Sequence, residues 1–138
     1  MEVNFTGTEP TYARPGDAGA DLRLSDDVAI PAHGRAIAGT GTSVAIPEGY
    51  VGLVLARSGT ATRRGVTLSN CVGVIDSGYR GEVKLPLLNG LDVPVSLRRG
   101  ERVAQLVVVP APAVSFARVE ALDETERGGR GFGSTGAR

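Results

Sequence analysis

The chain has 138 residues, no Trp, 3 Phe and 3 Tyr, so it fits one domain whose interior is filled by Val, Leu, Ile and Ala. Fifteen basic residues balance fifteen acidic ones, which leaves no global field to draw the chain to nucleic acid or to an anionic membrane. Cys71 and His33 are each alone, which argues against a disulfide framework, a His- or Cys-based metal site and a Ser/His triad.

Met1-Glu2-Val3-Asn4 lacks the basic and apolar regions of a signal peptide. No apolar run approaches the ~20 residues that cross a bilayer, so a cytoplasmic protein is expected. Turn signals then recur about every ten residues: Pro15-Gly16-Asp17, Ser25-Asp26-Asp27, Pro31-Ala32-His33-Gly34, Pro47-Glu48-Gly49, Asn89-Gly90 and Arg99-Gly100. Between them lie short apolar or alternating runs, Asp21–Leu24, Val28–Ile30, Val44–Ile46, Val51–Ala56, Val83–Leu88, Val93–Leu97 and Val103–Val109. Short strands at that spacing predict an all-β barrel or sandwich. The one helix candidate is Ser58–Arg64, with Ser58 as its N-cap.

Several segments carry chemistry beyond their structural use. In Gly73-Val74-Ile75-Asp76-Ser77-Gly78-Tyr79-Arg80-Gly81 an apolar strand ends on an acid at a turn. Such an acid either bonds its own backbone in an Asp-Ser-Gly turn or is set to activate a water against a pocket. The strand Val51–Ala56 breaks at Arg57-Ser58-Gly59, where free N–H groups, a guanidinium and a hydroxyl suit an anion. A capped helix with an exposed Arg explains the same residues. Gln105, inside the apolar run Val103–Val109, either bonds neighbouring backbone or faces a polar ligand. Asp21 follows the small residues Ala18-Gly19-Ala20, which permit close backbone approach. After Pro110 and Pro112 a short run, Val114–Val119, leads to Arg127-Gly128-Gly129-Arg130-Gly131-Phe132-Gly133-Ser134-Thr135-Gly136. That glycine-rich end reads either as a flexible terminus or as a lid, because an Arg, an aromatic and hydroxyls suit closure over a ligand.

In order, these segments resemble the five motifs of the trimeric dUTPase family. Ala18–Leu22 resembles the first, Arg57-Ser58-Gly59 the second, Gly73–Asp76 with Tyr79 and Gly81 the third, Gly100–Gln105 the fourth and Arg127–Gly136 the fifth. The match runs from about Asp17 to Gly136. The resemblance implies a jelly-roll-like β-barrel subunit (the β-clip fold) over residues 1–122 and an arm over 123–138. It implies a homotrimer whose arm closes over a neighbour's site. It further implies hydrolysis of dUTP to dUMP and pyrophosphate with Mg²⁺, which lowers dUTP and supplies dUMP for thymidylate synthesis.

Roles follow residue by residue from that resemblance. Asp76 orients the water that attacks the α-phosphorus. Tyr79 packs under deoxyribose. Asn70 and the backbone of Val74, Ile75 and Asp76, in the hairpin leading to Lys84, read uracil, and Phe132 stacks on it. Arg57, Ser58, Gly59 and Gln105 bind the triphosphate, and Arg127, Gly133, Ser134 and Thr135 its γ-phosphate. Asp21 acts on Mg²⁺ through a water, while Arg130 has no assigned role. Ala56, Thr60 and Cys71 depart from the family's usual residues. Deamination of dCTP, found in relatives of this fold, would need an Arg and a Glu where Thr62 and Pro86 stand. A non-catalytic nucleotide- or protein-binding trimer would lack Asp76 or the arm.

Overall fold

The computed structural model describes residues 1–131 and shows eleven strands and one helix among them. The strands are β1 (Asn4–Gly7), β2 (Ala20–Arg23), β3 (Val28–Ile30), β4 (Arg35–Gly39), β5 (Thr42–Ala45) and β6 (Tyr50–Ala56). After the helix α1 (Ser58–Arg64) come β7 (Val66–Leu68), β8 (Val72–Ile75), β9 (Lys84–Asn89), β10 (Val95–Leu97) and β11 (Arg102–Pro110). The fold is all-β and jelly-roll-like, as expected. Its largest sheet runs β2-β11-β6-β8, and a second runs β4-β9-β7. The pairs β1-β5 and β3-β10 complete it, and every strand pairing is antiparallel.

Alternation explains the core. β9 buries Leu85, Leu87 and Asn89, and β5 buries Thr42 and Val44, each on one face of the pleat. Leu22, Ile30, Ile46, Val66, Leu85, Leu87 and Leu97 meet there with almost no exposure, so small aliphatics do the work of absent aromatics. Buried polar groups are satisfied. The Asn89 amide nitrogen donates to the carbonyls of Ile30, Pro31 and Val93, while its oxygen accepts the Leu91 N–H at 2.9 Å. Asn89, expected as half of a surface turn, therefore ends a strand and ties two loops from inside.

Other expectations need correction. Ser58 is not the N-cap: Arg57 holds that position in extended geometry, and its carbonyl accepts the first helical N–H bonds from Thr60 and Ala61. Gly65 ends the helix at φ 61°, the left-handed value that glycine adopts without strain. Strands β1, β4 and β7 were not foreseen. Residues 111–131, the short run Val114–Val119 among them, carry neither helix nor strand. Val114, Phe116, Val119 and Leu122 are exposed along that segment. No helix among the described residues is long and apolar enough to cross a membrane.

Candidate active site

A cleft of about 530 Å³ opens beside β8 and β9. Its lining includes Asn70, Val74, Ile75, Asp76, Tyr79, Glu82 and Lys84. All six residues expected to contact base, sugar and water on the body of the chain thus share one cavity of ligand size. Pro86 also lines it.

Strand geometry sets each group. Pairing of β8 with β6 buries Ile75 against the core and turns Val74 outward, and β8 is the last strand of its sheet, so its other backbone edge has no strand partner. Gly73 packs tightly on β6: a Cβ there would stand 3.1 Å from the Val54 Cβ. Asn70 sits in the turn between β7 and β8, where its carbonyl accepts the Val72 N–H at 2.7 Å. Cys71 takes φ 63° to close that turn, an unusual conformation for a non-glycine residue.

Asp76 follows β8 directly. The Tyr79 N–H donates to the Asp76 carbonyl at 3.0 Å, which closes the turn. Arg80 Nη1 donates to the carbonyls of Ser77 and Tyr79, both at 2.7 Å, and holds it shut. The Asp76 carboxylate is exposed and accepts no hydrogen bond among the described residues. The turn-capping alternative therefore fails, and the carboxylate faces solvent in the cleft. Tyr79 is held on two sides. Its hydroxyl donates to the Glu82 carbonyl at 2.9 Å, and a Cβ on Gly81 would lie 2.7 Å from the ring.

A second cluster forms where β2, β6, β11 and α1 meet. Asp21 and Gln105 are register partners across β2 and β11, and Gln105 pairs with Leu55 of β6. The Asp21 side chain is only 5% exposed. Its Oδ1 lies 2.7 Å from Arg57 Nε and its Oδ2 3.0 Å from Arg102 Nη1. The acid thus clamps two guanidiniums at once. Arg57 adds a bond from Nη1 to the Arg102 carbonyl at 3.4 Å. Gln105 is half-buried, and its side chain covers Gly19, where a Cβ would stand 3.0 Å from the amide oxygen. Ser58 is exposed at the first helical position, beside Gly59. Arg102 was missing from the expected site. A bulge between Arg102 and Ala104 aims it at Asp21, and no periodicity in the sequence signals a bulge.

Arg127 and Arg130 bond only to backbone within their own turn among the described residues: Arg127 Nε donates to the Arg130 carbonyl at 3.3 Å, and Arg130 Nε to the Arg127 carbonyl at 2.9 Å. Phe132, Gly133, Ser134 and Thr135 lie outside the described residues.

The geometry can be set beside known proteins. The dUTPase family model matches residues 6–136. The deoxyuridine 5′-triphosphate nucleotidohydrolase of Cutibacterium acnes is 53% identical over 128 residues, covering 92% of this chain and 84% of that protein. The protein of the same name from Thermobifida fusca is 48% identical, covering 92% and 72%. The dUTPase of Staphylococcus bacteriophage 80alpha, solved with dUPNHPP, superposes with a TM-score of 0.91 at 27% identity over 98% of each chain. With the jelly-roll-like body, the exposed acid Asp76 in its cleft and the matched length all in agreement, this chain belongs to the dUTPase family of nucleotidohydrolases.

Proposed function

We propose that the protein hydrolyses dUTP to dUMP and pyrophosphate as a homotrimer. One observation carries the reading: the Asp76 carboxylate, unpaired among the described residues, shares a ligand-sized cleft with a fixed tyrosine ring and with residues of the edge strand β8. In this reading Tyr79 supports deoxyribose. The Asn70 side chain and the peptides of Val74 to Asp76 pair with uracil. Asp76 accepts a proton from the water that attacks the α-phosphorus, and the bond to the bridging oxygen breaks as pyrophosphate leaves. Positioning and charge neutralisation supply most of the acceleration.

Charge supports a site shared between copies. The ionisable lining of the cleft is Asp76, Tyr79, Glu82 and Lys84, two acids against one ammonium, which does not suit a triphosphate. The needed guanidinium, Arg57, sits in the other cluster. Asp21, Gln105, Leu55 and Val72 form one row across the four-stranded sheet, with Asp21 and Val72 on opposite edges. At about 4.8 Å per strand those edges are roughly 14 Å apart. Three copies would bring one subunit's Arg57, Ser58, Gly59 and Gln105 to another's cleft. The arm, with Arg127, Phe132, Gly133, Ser134 and Thr135, would close over it. The exposed apolar residues of 114–122 offer surface for such an assembly.

Mg²⁺ fits this donor set as a cation that arrives on the substrate. The described residues contain no cluster of three metal-ligating side chains, and the Asp21 carboxylate already meets two guanidiniums. Its oxygens keep lone pairs that can bind a metal-held water, which suits an ion that keeps most of its hydration. Bound there, the ion would offset the negative charge of the triphosphate.

The test is incubation with Mg²⁺ and each deoxynucleoside triphosphate, with pyrophosphate as the readout. Release from dUTP alone supports the reading. An uncut dUTP overturns it, as would deamination of dCTP.

A further inference from the structure

We propose that Glu82 is a positioning residue for sugar discrimination: it fastens the loop carrying Tyr79 to the turn between β4 and β5. The inference rests on Tyr79 being the residue that faces the sugar. Residue 82 is tied at both ends. Its carbonyl accepts the Tyr79 hydroxyl at 2.9 Å, and its side-chain Oε1 accepts the Gly41 N–H at 2.8 Å. The main chain holds the ring, and the side chain holds the body.

The anchor itself is rigid. Thr40 is wholly buried, and its Oγ1 donates to the Val83 carbonyl at 2.7 Å. The Val83 N–H donates to the Thr42 carbonyl at 2.8 Å. Residues 82 and 83 are therefore bound at three points to residues 40–42. The carboxylate lies in a slot shaped for it, since a Cβ on Gly39 would stand 2.7 Å from Oε1. Its contact with Lys84 is longer, 3.9 Å, between partly exposed side chains, and such pairs contribute little. The bond to the Gly41 amide has a charged acceptor and is the stronger of the two.

The ring needs this support. Tyr79 is 42% exposed, and the only hydrogen bond of its hydroxyl among the described residues is to the Glu82 carbonyl. Gly81 blocks one direction of tilt. Retreat in the other direction requires residue 82 to move, and the Gly41 bond resists that. A ring that rejects a 2′-hydroxyl by contact loses the rejection once it can back away. Removing the tether should therefore relax selection between sugars more than it slows the preferred reaction.

The experiment compares kcat/KM for dUTP and for UTP, with Mg²⁺, in the wild type, Glu82→Ala and Glu82→Gln. We expect Glu82→Ala to lower the dUTP:UTP ratio on the order of tenfold, mostly through faster UTP turnover, as loss of one charge-assisted bond allows. Glu82→Gln keeps an acceptor for Gly41 while losing its charge, so its ratio should fall only about threefold, well short of the Ala variant. If Glu82→Ala does not fold, Glu82→Asp, which withdraws the acceptor by one methylene, carries the same expectation as Ala. A wild-type ratio in the Ala or Asp variant overturns the proposal, and so does a Gln variant that relaxes as far as Ala. A wild type that splits dUTP and UTP alike would instead overturn the sugar-facing reading of Tyr79.

Discussion

Replacing Asp21 by Asn tests whether this acid is the keystone of the arginine cluster. The side chain keeps its size but loses its charge, and one of its two acceptors becomes an NH₂ group. Arg57 Nε at 2.7 Å and Arg102 Nη1 at 3.0 Å then compete for one oxygen, and the loser faces a donor. Breaking a fully buried ion pair costs about 3–5 kcal/mol. Here the arginines are 28% and 39% exposed, so water can recover part of the loss. One lost charge-assisted hydrogen bond, about 2 kcal/mol, is the better figure. With an unfolding entropy near 2.1 cal/mol/K per residue, the 138 residues give about 290 cal/mol/K. The expected fall in Tm is therefore about 7 °C, read by thermal scanning without nucleotide. kcat/KM for dUTP should fall as well, because Arg57 loses the partner that fixes its direction. A Tm within about 1 °C of wild type would refute the clamp.

Three further outcomes follow from particular contacts. Asn89→Ala removes the side-chain bonds to the Ile30, Pro31 and Val93 carbonyls and to the Leu91 N–H, of which the Pro31 carbonyl keeps the Gly34 N–H, so chemical denaturation should show a loss of about 3 kcal/mol. The Arg99 N–H, and then the Arg98 guanidinium, hold the Asp27 carboxyl below the usual aspartate range. The folded state therefore binds this proton less readily than the unfolded chain. The resulting stabilisation is present above the ordinary aspartate pKa and fades as pH falls through the lower folded value. Asp27→Asn should flatten the acid side of the stability–pH curve while leaving its shape above pH ~6 alone, as repeated melts across pH would show. Deleting Gly128–Arg138 should leave the assembly intact by light scattering but cut kcat/KM sharply. An unchanged kcat/KM would mean that the arm takes no part.

What the sequence made legible was local. Val28–Ile30 and Ser58–Arg64 appear with the expected bounds, because β-branched alternation and a clean helix end at Gly65 are short-range signals. β4 was missed since Arg35-Ala36-Ile37-Ala38-Gly39 mixes a charge, small residues and an exposed isoleucine. β1 was missed since all four of its residues are exposed. The cleft residues Asn70 to Lys84 were legible because they lie within one stretch of chain. The Asp21 clamp was not, because it joins residues up to 81 positions apart and depends on a bulge. Ser58 is the first helical residue and not the cap: Arg57 takes the cap position and spends its side chain on Asp21 instead of on the helix end. Glu82 was passed over for the same reason as Arg102, since its partner at Gly41 lies in a distant turn.

The central claim is that the exposed carboxylate of Asp76 readies the attacking water. The most direct measurement is turnover of dUTP by Asp76→Asn, beside nucleotide binding by the same variant. The account predicts wild-type folding, near wild-type affinity for a non-hydrolysable dUTP analogue, and a kcat reduced by roughly 10²-fold or more, the usual contribution of a general base. A variant that releases pyrophosphate at the wild-type rate would contradict it.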